Sequence, residues 1–175
     1  MPERKTIERA RADKRAGKSP STQAGEFVKE EVDRVRSGKH GVRSARQAVA
    51  IGLSKARRAG VDLKPPTKGK ASEATRKKAA QDAAAGQGRK MTGQSTESKA
   101  KRSRTTTAVL KRESKAGAST GAMSKQAKSA AARRPAASRS AAAKKAAQTK
   151  GAAGRSAAAK KAARTRAAHA HQGHR

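Results

Sequence analysis

The side chains of this sequence that could do chemistry are mostly cations, and the first group is Lys39, His40, Arg43 and Arg46. They gather in SGKHGVRSARQAVAIGLSKARRAG, residues 37–60, where glycines, a histidine and spaced aliphatics occur together. Ser44 with Gln47 three residues on is a capping-box pattern, which puts these cations at the start of a helix. Unpaired N–H groups and the helix dipole favour a phosphate there. Lys55, Arg57 and Arg58 extend the basic surface along the exposed side of the same helix. SGKHG is not a phosphate-binding loop of Walker type, because the preceding glycine is missing and His40 follows the lysine. The connection 37–43 is also longer than the turn of about 3–4 residues in a DNA-reading helix-turn-helix. The plain alternative is that the cations only solubilise and the glycines only serve the turn.

The second group lies in the last third: Arg133, Arg134, Lys144, Lys145, Lys160, Lys161, Arg164 and Arg166. KSAAARRPAAS from Lys128, RSAAAKKAAQTKGAAG from Arg139 and RSAAAKKAARTRAA from Arg155 repeat a unit of basic-Ser-Ala-Ala-Ala-basic-basic. From residue 114 onward there are 15 Lys and Arg and no carboxylate side chain, the last being Glu113. Cations spaced by small side chains match a ladder of phosphates. If about ten of them engaged duplex DNA, affinity would fall roughly 10⁵-fold between about 50 and 200 mM salt. Readers of RNA and of single strands stack bases on aromatics. With Phe27 as the only aromatic residue, backbone-dominated binding to duplex DNA is the first expectation and RNA the alternative.

Other chemistries are poorly served. There is no cysteine, so thiolate metal sites, disulfides and cysteine nucleophiles are excluded. No nucleophile–base pair stands out, so no enzymatic activity and no cofactor are expected. His169, His171 and His174 in HAHQGHR suit a transition metal by type, but a terminal cluster of this kind is more often incidental, and no metal site is assigned. Glu26, Glu30, Glu31 and Asp33 concentrate acids in eight residues. They read as i,i+4 pairs on a solvated helix face or, more sharply, as an acidic patch that holds the basic tail. No run of about 18 apolar residues exists to span a membrane, and the N-terminus lacks the apolar region of a secretory signal. A cytoplasmic, nucleoid-associated location is expected.

The elements that must position these groups are few. The chain has 175 residues, 45 Lys and Arg against 12 Asp and Glu, and a formal net charge of +33. High charge with few large aliphatics is the composition of disorder. The expected fold class is therefore mostly disordered with all-α elements: a small antiparallel helical hairpin over about residues 20–60, plus a tail that becomes helical on binding. The segments read as a basic N-terminal helix or arm at 1–18, the hairpin module at 19–66, a basic linker with short helices at 67–113, and the repetitive tail at 114–175. Nothing is expected to pin the arm to a core. In the hairpin, Ala24, Phe27, Val28, Val32 and Val35 form one face, with Glu31 projecting from it and an Arg or Lys needed to answer it. Ala45, Ala48, Val49, Gly52, Leu53, Ala56 and Ala59 form the other. So small a module needs help from Val42, Val61 and Leu63, or from a partner. Ile51 faces away from this core and hints at a homo-oligomer or protein-partner surface.

Residues 25–63, with Lys39-His40-Gly41 and the run from Gln47 to Gly60, resemble an uncharacterised domain family of small basic bacterial proteins. That family is marked by a K-H-G box and Q-A-x-A-I-G-L-S-x-A-R-R-A-G. The resemblance implies a bacterial origin and no activity. The Ala/Lys repeats are similar to the tails of bacterial histone H1-like proteins and eukaryotic linker histones, although S-P-K-K elements are missing and KSPS at 18–21 is the nearest approach. This implies sequence-independent, chromosome-associated DNA binding. The expectation is a non-enzymatic protein that coats or bridges duplexes, with an RNA- or ribosome-associated protein and a hairpin adaptor as alternatives.

Overall fold

In the computed structural model, residues 2–88 and 99–172 are described, except for the side chains of 99, 150 and 168–172. The helices are α1 (Arg4–Arg15), α2 (Pro20–Arg36), α3 (Ala45–Arg58), α4 (Glu73–Gly86), α5 (Lys99–Arg112), a 3₁₀ turn (Lys115–Ala118), α6 (Thr120–Ala132) and α7 (Ala136–Gln172). They divide into two compact units, Met1–Gln126 and Ala127–Arg175.

Local signals explain where the helices of the first unit begin and end. Ser19 caps α2 by accepting from the Thr22 amide, with Pro20 at the first helical position. Ser44 caps α3 in the same way through the Gln47 amide, while the Gln47 side chain accepts from the Arg43 amide. Gly60, at φ +87°, follows the end of α3, and the Val61 amide donates back to the Ala56 carbonyl. α2 and α3 run antiparallel: Glu31 pairs with Lys55, Gly52 lies against Val28, and Val35 shares a cluster with Ala48. A Cβ at Gly52 would stand 2.6 Å from the Val28 Cα, so glycine permits the close crossing.

Among the described residues the core has two clusters. Phe27, Ala24 and Ala56 bury against Ala10 and Val61, with Ile7, Leu53 and Leu63 packed on them. Val32, Val35 and Ala48 bury against Val42 and Ala118, with Ile51 and Met123 packed on them. Val42, Val61 and Leu63 thus close the hairpin as expected. Three expectations do not hold. α1 is pinned, because Ile7 and Ala10 enter the first cluster. Ile51 is not an outward surface but packs in the second. The chain beyond Pro66, read from its sequence only as basic linker and repetitive tail, also contributes to the core, through Ala79, Gly117, Ala118 and Met123.

The expectation of a mostly disordered chain is overturned: the described residues are predominantly helical. Large aliphatic side chains are indeed scarce, but small ones let helices approach closely, and distant segments add the missing apolar surface. The second unit needs no such core. It is dominated by Ala, Lys and Arg, among the best helix formers. Its α7 breaks at Gly151, where φ is +64° and ψ 172°, leaving two helical segments. Arg155 Nη1 donates to the Ala147 carbonyl at 2.7 Å, serving a backbone oxygen near the end of the first segment.

Candidate nucleic-acid interface

The loop holding Lys39, His40 and Arg43 leads from α2 into α3, and residues 110–118 of the same chain dock on it. The Gly41 amide donates to the Leu110 carbonyl at 2.8 Å and the Val42 amide to the Ser114 carbonyl at 2.9 Å. Arg36 Nε donates to the Ala118 carbonyl at 2.9 Å. Glycine is required at 41 and 117, since a Cβ would fall on the carbonyls of Glu113 and Val42. Two amides of the loop are therefore already bonded within the chain. At the N-terminus of α3, the Ser44 hydroxyl and Gln47 side chain occupy two more.

The hairpin cations separate into two sets. Lys39, Arg43 and Arg46 are exposed. Lys39 Nζ lies 3.8 Å from Glu3, and Arg43 Nε 3.9 Å from Glu113, with the Arg43 side chain 81% exposed. His40 turns inward: Nε2 is 3.2 Å from Glu31 Oε1, and Nδ1 is 3.0 Å from the Gly41 carbonyl. Arg57 is buried, with Nε donating to the Leu63 carbonyl at 3.4 Å. Arg58 remains exposed but donates through Nε to Asp82 at 2.8 Å. Lys55 does not extend the basic surface. It answers the fully buried Glu31 at 2.5 Å and lies 3.7 Å from Glu30.

The acids of α2 do not form one solvated face, although Glu30 makes the expected i,i+4 pair with Arg34 at 3.5 Å. Glu30 and Glu31 are buried. Glu30 accepts from the Glu3 amide and Arg34, and Glu26 lies 2.7 Å from Arg9 of α1. Only Asp33 of the four is exposed. Pairing across helices was hidden because α1 had no assigned place against which to pair them.

In the second unit, Arg133, Arg134, Lys144, Lys145, Lys160, Lys161, Arg164 and Arg166 are all exposed. Residues 139–150 and 155–166 are two copies of one twelve-residue pattern, differing at 148/164 and 150/166. Thr149 and Thr165 repeat even the same bond, donating to the carbonyls of Lys145 and Lys161. Among the described residues, no group of three or more His, Asp or Glu could hold a metal ion. His174 lies outside the described residues, as do the side chains of His169 and His171. No helix of the described residues is long and apolar enough to cross a membrane.

A cationic cleft was missed by sequence reasoning. Arg58 and Lys78 face Arg102, Ser103, Thr106 and Thr107 of α5 across a space of about 750 Å³. The wall is organised by Asp82, 3% exposed, which accepts from Ser54 Oγ at 2.6 Å and from Arg58, with Lys78 Nζ at 3.4 Å. Burial pushes the Asp82 carboxyl up. The hydrogen bonds from Ser54 and Arg58, with the Arg58 and Lys78 charges, outweigh this and hold it below its ordinary value. The only sequence signal was the spacing of Arg102, Ser103, Thr106 and Thr107, which share one helix face.

Residues 11–69 match a family of unknown function (DUF6496). The match runs from within α1, through the hairpin and the K-H-G loop, to the segment after α3, and stops before α4. It agrees with the resemblance of residues 25–63 to an uncharacterised domain family and extends it into α1. No curated protein and no solved structure matches the chain.

Proposed function

We propose that this is a sequence-independent DNA-binding protein of the bacterial nucleoid, similar in tail composition to histone H1-like proteins. The observation that carries this reading is the exposure of every one of the eight assigned tail cations, in a segment with no acidic side chain to neutralise them. A helix turns about 100° per residue, so Lys144 and Lys145 stand about 140° and 240° from Arg139, and Lys160 and Lys161 likewise from Arg155. Each copy therefore presents cations on several sides of its helix. Such a helix can meet phosphates of two strands or of two duplexes, which suits coating and bridging. Phe27 is 1% exposed, leaving no aromatic ring on which to stack a base. That favours duplex DNA over RNA.

Competition between duplex DNA, structured RNA and single strands at about 150 mM salt tests the preference. Duplex DNA is expected to compete best, and equal competition by all three would reduce the function to general polyanion binding. Replacing Lys144, Lys145, Lys160 and Lys161 with Gln in the full chain is expected to reduce the log–log salt slope by about 3 to 4. An unchanged slope would sink the tail mechanism.

A further inference from the structure

We propose that the cleft between Arg58 and Lys78 on one side and α5 on the other binds consecutive phosphates of a nucleic-acid backbone. This deepens the proposed function and rests on it, but it places a second contact in the first unit, away from the repeats.

Three features point to phosphate. Arg58 spends Nε on Asp82, which orients the guanidinium and leaves its terminal nitrogens for a ligand. On the opposite wall, Thr105 is outside the lining and donates its hydroxyl to the Lys101 carbonyl at 3.0 Å. The hydroxyls of Ser103, Thr106 and Thr107, within the lining, have no such bond among the described residues. The cleft thus combines three cations and three hydroxyl donors with no carboxylate among its described lining residues, Asp82 pairing with Arg58 and Lys78 from within the wall, and a ligand that brings both acceptors and negative charge fits it. Its volume of about 750 Å³ exceeds what one phosphate fills. Its described lining also has no aromatic or aliphatic side chain to hold a base or sugar ring. A run of phosphodiesters, read through its backbone, fits that chemistry.

The test compares full-length variants in binding to a labelled duplex across a salt series. Arg102→Glu is expected to weaken binding about tenfold or more. Arg104→Glu makes the same charge change on α5 outside the cleft and is expected to cost at most about fivefold. Thr106→Val with Thr107→Val, which leaves the charge unaltered, is expected to weaken binding by roughly threefold or more. Equal losses for Arg102→Glu and Arg104→Glu, or full affinity for the valine pair, would overturn the cleft assignment while leaving the tail mechanism standing. A wild-type chain that fails to bind duplex DNA would overturn the proposed function and the cleft with it.

Discussion

The Glu31 carboxylate has no exposed surface and meets the Lys55 ammonium at 2.5 Å, joining α2 to α3. His40 adds a third member 3.2 Å from the other Glu31 oxygen. Removing one partner of such a pair leaves a buried charge without compensation, whereas removing both need cost little. Lys55→Met should therefore destabilise the first unit by about 3 kcal/mol or more, and adding Glu31→Leu should recover most of the loss. Urea unfolding followed by circular dichroism measures both. A single variant as stable as the wild type would show that the pair is not what holds this contact.

The close approach of α2 and α3 depends on Gly52. An added methyl would meet the Val28 backbone, which cannot swing away as a flexible side chain can. Gly52→Ala should cost about 1–3 kcal/mol by overpacking. It should do so although alanine is the better helix former by roughly 1 kcal/mol. A rise in melting temperature would contradict the crossing.

Docking of residues 110–118 is testable at the same resolution. Gly41→Ala should push the Glu113 carbonyl away and release the bonds from the Gly41 and Val42 amides. Hydrogen exchange at residues 41 and 42 should then speed up by roughly tenfold, the equivalent of about 1.4 kcal/mol. Unaltered exchange would mean that the segment does not cover the loop. The docking also decides where the tail can be removed: a cut at residue 114 would strip Ala118 and Met123 from the core, whereas a cut after Gln126 leaves them in place.

The Asp82 carboxyl gives a dependence on pH with a definite sign. Its folded value lies below the ordinary one, so its contribution is complete above the unfolded value, about 3.9, and is lost as pH falls through the folded value. Packing of α4 on α3 should loosen in that acid range, and Asp82→Asn should remove this part of the acid sensitivity. Chemical shifts of the Ser54 and Arg58 amides against pH provide the readout. Identical acid titrations in the variant would refute the role.

Gly151 separates the two helical segments of α7 in a backbone conformation nearly confined to glycine, which costs other residues about 1–3 kcal/mol. Gly151→Ala should make one continuous helix and raise the helical signal in circular dichroism. No change in that signal would show that the break has another cause.

Charge, capping and repetition were legible from residue order alone. Ser19, Pro20, Ser44, Gln47 and Gly60 act through neighbours within a turn or two, so the boundaries of α2 and α3 and the apolar faces carrying Phe27 and Ala48 could be read directly. The buried position of Glu31 was foreseen in outline, since a carboxylate in an apolar stripe demands a cation. The identity of that cation was not, and Lys55 looked like a surface residue until the helices were paired.

What residue order could not decide is what depends on distant partners. Ile7 looks unanchored in the arm and Ile51 outward on an isolated hairpin, and packing with segments many residues away turns both inward, while His40 and Arg57 turn inward onto Glu31 and the Leu63 carbonyl. The disorder expectation failed for the same reason: it judged the hairpin without α1, Ala118 and Met123. The cleft, too, depends on the tertiary arrangement that places α5 opposite Arg58 and Lys78. The amino-acid sequence alone determined a strongly cationic chain with capped helices and a repeated basic pattern, because propensity and charge are local properties. Only the tertiary structure decided which cations are bonded within the protein and which stay exposed, because burial and pairing belong to residues far apart in the chain.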